Sequence, residues 1–294
     1  MAISTDLPVS RFTSPATIDE ALATLQELGS TATVLAGGTD IMVQLQSGQI
    51  HPETLLHIGN LDELRGVDRK NSTVGIGALV THRSLATDAA LSARLPALAE
   101  ACSTIGGWQT QEVGTLGGNV CNASPAADTI APLLVADAAV TLTATGGSRS
   151  MPLQDFLLGR RSTAARPEEL LTRLDVEPCD SGTGEVYLKV APRTAMEVAV
   201  VGLAVRLSVI DGAVADARIA AAAVAPVPFR SAPAEEILIG SRLEPEAVEE
   251  ATRLLVAEAS PIDDARATAS YRRMVLQRLL GRAVDIAKSR SLEE

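Results

Sequence analysis

The sequence predicts an α+β protein of two domains, and three observations support this. Helical and strand-like patterns alternate over residues 1–178 of the 294-residue chain. A polar segment rich in Pro, Asp, Ser and Gly follows at Pro178–Gly184, which is typical of a linker between domains. Beyond it, three strand-like runs precede three helical runs. We therefore expect one domain over residues 1–178 and a second over residues 185–290.

The first predicted element is an amphipathic helix. Thr17 and Glu20 have the spacing of a capping box, in which the Thr side chain accepts from the Glu amide and the Glu side chain accepts from the Thr amide. Apolar residues then recur at helical spacing over Ile18–Leu28, and Gly29 is placed to end the helix.

A strand, a glycine turn and a second helix follow. Residues 33–36 form an apolar run that reads as a buried strand leading into Gly37 and Gly38. Asp40 is placed to cap a helix over Ile41–Gln46.

The rest of the first domain shows shorter signals. Strands are predicted at residues 55–58, 73–78, 139–144, 149–151 and 170–176, and helical segments near Thr81 and over 87–105, 126–136 and 153–158. Residues 109–128 have little periodicity and are rich in small and polar residues, so we expect a long ordered loop with a functional role.

The second domain is predicted as a three-stranded sheet followed by helices. Strands are expected at residues 186–190, 198–210 and 213–224, and Asp211-Gly212 is a strong signal for a hairpin turn. Helices are expected at residues 232–239, 245–259 and 266–287.

Composition excludes several classes of function. The net charge of −11 and the isoelectric point near 4.9 disfavour binding to nucleic acid or to an anionic membrane. No segment is long and apolar enough for a membrane span, and Met1–Phe12 does not resemble a secretory signal, so we expect a cytoplasmic protein. The three scattered cysteines and three scattered histidines do not have metal-ligand spacing, so no metal site is expected on this chain.

Two glycine-centred segments carry the clearest functional signal. Ala36–Asp40 and Thr115–Asn119 each follow a stretch that could end a strand. A glycine pair lets the backbone approach an anion closely and present consecutive amide hydrogens as donors. Together the two turns make a plausible clamp for one pyrophosphate. No Gly-x-Gly-x-x-Gly run is present, which argues against a Rossmann fold.

These segments resemble the FAD-binding subunit of the molybdenum hydroxylases, the group that includes aerobic carbon monoxide dehydrogenase and xanthine dehydrogenase. The resemblance covers nearly the whole chain and preserves the order and spacing of its motifs. It is carried by the segments 34–40, 114–119, 124–128, 187–189 with Arg193, and 269–273.

The resemblance implies a two-lobed FAD-binding domain, with lobes of about 1–60 and 61–178, and a smaller three-stranded sheet with a helical bundle. It implies that both glycine turns bind the FAD pyrophosphate through backbone amides and that Asp128 holds a ribityl or ribose hydroxyl. The cofactor-binding residues that it implies are Leu35, Ala36, Gly37, Gly38, Thr39, Asp40, Gly114, Thr115, Gly117, Gly118, Asn119, Asp128 and Lys189.

Two positions near the implied flavin need comment. Lys189 falls where the family has a lysine near the isoalloxazine, which would tune the cofactor. Glu197 takes a position where an acidic residue is expected, but Val198 replaces the aromatic residue of some members.

One departure from the family precedes the second glycine turn. Gln109–Glu112 stands where members commonly have Gln-Ile-Arg-Asn, so an arginine is lost and a glutamate gained. This reverses the local charge and leaves open whether assembly or flavin affinity differs from the family.

Single residues near these motifs allow two interpretations. His82 could contact adenine but is expected in solvent, and Trp108 could shield the flavin but is expected to be a packing anchor. Cys121 and Asn122 could approach the cofactor, although a small buried thiol is the simpler interpretation.

We therefore predict an FAD-binding medium subunit of a cytoplasmic molybdenum hydroxylase, an oxidoreductase flavoprotein for electron transfer. The resemblance implies a large subunit with the molybdenum cofactor and a small subunit with 2Fe-2S clusters, assembled as a dimer of heterotrimers. FAD would pass electrons to an external acceptor, which is NAD, quinone or oxygen. The alternatives are a stand-alone FAD-dependent oxidoreductase of a small substrate and a flavin-free assembly scaffold.

Overall fold

The computed structural model describes residues 9–69 and 72–292. It confirms the α+β class, with a three-stranded, a five-stranded and a four-stranded sheet and a small two-stranded arm among these residues. The first eight residues of the predicted amino-terminal lobe lie outside the described part. No helix within the described ranges is long and apolar enough to cross a membrane.

The amino-terminal sheet is parallel, with strand order β1-β3-β2. The Thr17 half of the predicted capping box is present at the first helix, because Thr17 Oγ1 accepts from the Glu20 amide, whereas Glu20 Oε2 accepts from the Ala16 amide, one residue before the cap. The elements are β1 (Arg11–Thr13), α1 (Ile18–Leu28), β2 (Ala32–Leu35), α2 (Ile41–Gln46) and β3 (Thr54–His57).

The second sheet is antiparallel, with order β4-β5-β10-β6-β7, and helices pack on it. Its strands are β4 (Val67–Asp68), β5 (Val74–Gly77), β6 (Ala139–Ala144), β7 (Gly147–Pro152) and β10 (Leu170–Val176). The helices are α3 (His82–Thr87), α4 (Ala89–Arg94), α5 (Pro96–Ser103), α6 (Trp108–Val113), α7 (Leu116–Asn122), α8 (Ile130–Val135) and α9 (Leu153–Phe156). The short arm is formed by β8 (Leu157–Gly159) and β9 (Ser162–Thr163).

Two predictions in this region are wrong. Residues 109–128 are not a long loop, because α6 and α7 occupy much of the segment. Helix α7 forms although it contains Gly117 and Gly118, since Thr115 Oγ1 accepts from the Gly118 amide and caps the helix. The helix predicted from residue 126 begins only at Ile130, because Ala123 turns the chain with a φ of 44° and residues 124–129 form turns.

The carboxy-terminal part has the predicted three strands and three helices, and a two-residue strand extends the sheet to the order β11-β12-β13-β14. The hairpin predicted at Asp211-Gly212 is confirmed, with φ values of 52° and 78°. The elements are β11 (Thr183–Val190), β12 (Val201–Ile210), β13 (Ala213–Ala222), β14 (Phe229–Arg230), α10 (Ala232–Leu238), α11 (Pro245–Glu258) and α12 (Ala269–Ser291).

The last helix begins three residues later than predicted because Thr268 Oγ1 accepts from the Tyr271 amide and sets its start. Arg272 on this helix is buried. It donates to the carbonyls of Val200 and Ala223 at 2.7 and 3.0 Å and thereby fastens α12 to the sheet.

The four-stranded sheet packs directly on the preceding part of the chain. Tyr187 of β11 and Ala204 of β12 lie in the same apolar core as helices α5 and α8. Arg206 of β12 is buried, donates to Glu185 at 2.9 Å and to the Pro178 carbonyl at 2.8 Å, and contacts Glu177 at 3.3 Å. The buried guanidinium group of Arg206 therefore fixes the position of the chain at Glu177 and Pro178.

Candidate functional site

A cavity of about 810 Å³ lies beside the three-stranded and five-stranded sheets. Both glycine turns line it, together with the ends of strands β2, β5 and β10 and the loop that follows β11. This volume is in the upper part of the range for small-molecule and cofactor sites.

The first glycine turn presents its backbone to the cavity. A side-chain carbon on Gly37 would lie 1.7 Å from the Val113 carbonyl oxygen, so only glycine fits there. Gly38 has a φ of 73°, a conformation that favours glycine. The five consecutive amides of Gly37–Ile41 make no hydrogen bond to any group of the described residues. This run of open donors can bind an anion.

The second glycine turn is arranged differently. Its amides at Leu116–Asn119 are already bonded, to the carbonyls of Val80, Ala78 and Thr115 and to Thr115 Oγ1. A carbon added to Gly117 would lie 2.7 Å from Ala78 Cβ, so this glycine allows close packing against β5. The polar side chains that this turn brings to the cavity are Thr115 and Asn119.

Side chains link the two turns beside the cavity. Gln44 Nε2 donates to Asn122 Oδ1 at 3.1 Å, which joins α2 to α7. Burial raises the pKa of Asp40, and the nearby Arg161 charge and a hydrogen bond with Asn122 oppose the rise. The sequence predicts that Asp40 caps α2. Its side chain makes no capping hydrogen bond, and the residue lines the cavity instead.

Asp128 stands at another part of the wall, in a buried polar cluster. Its carboxylate accepts from Lys189 Nζ at 2.8 Å and from the Tyr187 hydroxyl at 2.6 Å. Burial raises the pKa of Asp128, while Lys189 and Tyr187 limit that rise. Lys189 does not itself line the cavity, but its buried ammonium group contacts Asp128, which does.

The turn at residues 103–106 is held through four consecutive carbonyl groups. Gln111 Nε2 donates to those of Ser103 and Ile105 at 2.9 and 3.0 Å. Lys189 Nζ donates to the Thr104 carbonyl at 3.1 Å, and the Met196 amide donates to that of Gly106 at 3.1 Å. Because Ile105 and Gly106 line the cavity, these donors fix part of its wall.

The departure from the family motif at Gln109–Glu112 therefore has two separate effects. Gln111 is only 3% exposed and supports the wall, whereas Glu112 lies at the surface, 3.7 Å from Arg83. Arg83 in turn lies 5.0 Å from the ring centre of Trp108. Trp108 is 71% exposed, so its expected role as a packing anchor is wrong.

The loop after β11 closes one side of the cavity. Met196, Glu197 and Val198 line it, and Met196 has a φ of 54° where its amide reaches Gly106. Glu197 is paired with Arg193 at 2.9 Å, which holds the loop and lowers the pKa of the carboxyl group.

Ten of the thirteen residues implied by the resemblance line one cavity. Leu35, Gly114 and Lys189 do not line it, and Leu35 lies in a small apolar core with Leu45 and Leu55. The lining residues are Ala36, Gly37, Gly38, Thr39, Asp40, Thr115, Gly117, Gly118, Asn119 and Asp128.

Other lining residues are not among the thirteen that the resemblance implies. His82 is buried rather than in solvent, and burial lowers its pKa to about 4. The apolar ends of two strands contribute Ile58 and Leu171, and the β8–β9 arm contributes Arg161. A strand pattern marks Leu171 as buried but not as cavity-facing, and no motif marks Arg161.

Comparison with known proteins agrees with this geometry. Residues 8–176 match the model for the FAD binding domain in molybdopterin dehydrogenase, and residues 186–287 match that for the CO dehydrogenase flavoprotein C-terminal domain. The carbon monoxide dehydrogenase medium chain of Hydrogenophaga pseudoflava is 32% identical over 283 residues, which cover 96% of this chain and 98% of that one.

A second relative and a solved structure also match along most of their length. The xanthine dehydrogenase FAD-binding subunit of Escherichia coli O157:H7 is 30% identical, with 87% of this chain and 88% of that one covered. A solved structure of the Hydrogenophaga pseudoflava carbon monoxide dehydrogenase, lacking the Mo-pyranopterin moiety of its cofactor, matches with a TM-score of 0.94 and 33% identity, over 97% of this chain and 99% of that one.

The family matches cover most of the chain, and the cavity offers open amides in a turn that only glycine can form. The chain therefore belongs to the FAD-binding medium subunits of the molybdenum hydroxylase family, which are subunits of oxidoreductases.

Proposed function

We propose that this chain holds one FAD in the cavity between its glycine turns and links a redox partner subunit to an external electron acceptor. The observation that carries the proposal is the run of open amides at Gly37–Ile41, which faces a cavity of cofactor size. FAD, when bound, takes up electrons one at a time and releases them as a pair.

The residues of the wall divide the binding between them. The diphosphate would lie on the amides of the first turn, with Thr39, Thr115 and Asn119 adding polar contacts. Leu35 and Gly114 would support the two turns from outside the cavity lining, Ala36 would line the cavity beside the first turn, and Gly118 would keep the approach to the second turn free of a side chain. Asp40 lies in the same wall, where its carboxyl group is available to a hydroxyl donor.

Asp128 is proposed to bind a ribityl or ribose hydroxyl as a hydrogen-bond acceptor. Lys189 balances its charge and Tyr187 fixes one carboxylate oxygen, so Asp128 is held in one orientation. Lys189 would tune the flavin through its pair with Asp128 rather than by direct contact, because Asp128 lines the cavity and Lys189 does not.

The expected partners are a large subunit with the molybdenum cofactor and a small subunit with 2Fe-2S clusters, in a cytoplasmic dimer of heterotrimers. The names of the relatives as medium chains support the presence of a larger and a smaller subunit. Residues 1–178 would bind the cofactor, and residues 185–290 would support it through Lys189 and the loop after β11.

The test is to purify the tagged chain from its native cells, identify the chains that accompany it, and record the visible spectrum before and after adding candidate substrates. We expect flavin and iron–sulfur bands together with two further subunits, and bleaching by substrate of the large subunit. A lone flavin-containing chain that turns over a substrate would instead establish a stand-alone enzyme. A chain without flavin in that complex would establish an assembly scaffold.

A further inference from the structure

The charges around the cavity are unevenly paired. Four carboxylates line it, and three of them have a cation at contact distance: Asp128 with Lys189 at 2.8 Å, Glu169 with Arg149 at 2.6 Å and Glu197 with Arg193 at 2.9 Å. None of these three cations lines the cavity.

Arg161 is different, because it is the one arginine or lysine among the described residues that does line the cavity. Its guanidinium group makes no ion pair within 4.0 Å in the described part of the chain. One donor, Nη1, reaches the neutral Gln49 Oε1 at 2.8 Å. The other N–H groups of this side chain are open to a ligand.

The backbone holds Arg161 in place at the tip of the β8–β9 arm. Its amide donates to the Ala123 carbonyl at 2.9 Å, at the end of α7, the helix that contains the second glycine pair. Gln49 follows the helix that continues the first glycine turn. Arg161 thus makes hydrogen bonds to residues that follow each of the two glycine pairs, Gln49 and Ala123. These contacts hold its backbone at a φ of 56°.

We propose that Arg161 is a phosphate ligand of this cavity, acting together with the open amides of Gly37–Ile41. A guanidinium group binds phosphate oxygens in a bidentate manner, and a diphosphate brings negative charge that the neutral amides alone do not balance. The phosphate belongs either to the diphosphate of FAD or to the diphosphate of a nicotinamide dinucleotide that serves as the electron acceptor. The inference rests on the proposed function, because it assumes that the cavity binds FAD.

The test compares Arg161→Gln with Arg160→Gln in the flavin-free full-length chain. Arg160 is the neighbouring exposed arginine and does not line the cavity, so it is a matched control. Dissociation constants are measured by quenching of flavin fluorescence, with FAD and with riboflavin, which lacks phosphate. Binding of NADH to the FAD-loaded variants is measured from its perturbation of the flavin absorption spectrum.

We expect Arg161→Gln to weaken FAD binding about tenfold, with riboflavin binding unchanged and Arg160→Gln behaving as the unaltered chain. Unchanged FAD binding with about tenfold weaker NADH binding would support the proposal and assign the phosphate to the acceptor. Equal losses for FAD and riboflavin, or no loss for FAD and NADH, would overturn it. If the unaltered chain binds no FAD, the proposed function itself fails, which is a separate result.

Discussion

At the residue scale, the candidate site depends on groups that leave the backbone open and groups that hold it still. Gly37 belongs to the first kind, because any side chain there would collide with the Val113 carbonyl. Gln111 belongs to the second kind, because it holds two carbonyls of the cavity wall. Both residues lie beside the cavity, yet only the glycine has a recognisable sequence signal.

Gly37→Ala is expected to weaken FAD binding at least tenfold and to destabilise the chain by about 1–3 kcal/mol, because the new carbon forces the two glycine turns apart. Flavin titration and urea unfolding measure the two effects. Gly146→Ala is the control, since a carbon there would have no neighbour within 4 Å. Unchanged FAD affinity in Gly37→Ala would contradict the assignment of the first turn.

Gln111→Leu is expected to lower stability by about 1–3 kcal/mol and FAD affinity several-fold, because the Ser103 and Ile105 carbonyls lose their donor and the turn at residues 103–106 relaxes. The measurements are urea unfolding and flavin titration. Glu112→Gln serves as the surface control and should change neither value by a measurable amount. Full FAD affinity in Gln111→Leu would show that this turn does not shape the site.

At the element scale, the packing of the four-stranded sheet determines whether the loop after β11 reaches the cavity. Arg206 connects β12 to Glu185 on β11 and to the Pro178 carbonyl, and both side chains are almost fully buried, at 3% and 1% exposure. Removing one partner of a buried ion pair is costly, because the charge that remains is neither paired nor hydrated.

Arg206→Met is therefore expected to destabilise the chain by about 3–5 kcal/mol in urea unfolding at neutral pH. Adding Glu185→Leu should restore much of that loss, since no unpaired buried charge then remains. Arg253→Ala, which breaks an exposed pair with Glu250, should cost less than about 1 kcal/mol. A small effect of Arg206→Met alone would show that Glu185 is not left as an unpaired buried charge.

At the scale of the whole molecule, the sequence predicts elements that local chemistry determines and misses features that tertiary contacts determine. The helix cap at Thr17 and the hairpin at Asp211-Gly212 are local and are confirmed. The exposure of Trp108 and the role of Gln111 depend on which surfaces and carbonyls the fold brings near them. Arg161 reaches the cavity from a distant arm, so no neighbouring pattern could reveal it.

The family resemblance extended this further, because ten of its thirteen implied residues line one cavity. It could not show that the amides of the second turn, at Leu116–Asn119, donate hydrogen bonds to other groups of the protein, whereas the amides of the first turn stay open. That difference depends on how β5 packs against the second turn. The two glycine turns thus look alike in sequence but offer different groups to a ligand.

The most direct test of this account is the flavin content of the purified chain after reconstitution with FAD and removal of unbound cofactor. Absorption spectroscopy combined with protein quantification gives the number of flavins per chain. We predict one FAD per chain, and loss of most of it in Gly37→Ala but not in Gly146→Ala. A chain that retains no flavin, or that retains it equally in both variants, would contradict the assignment of the cavity.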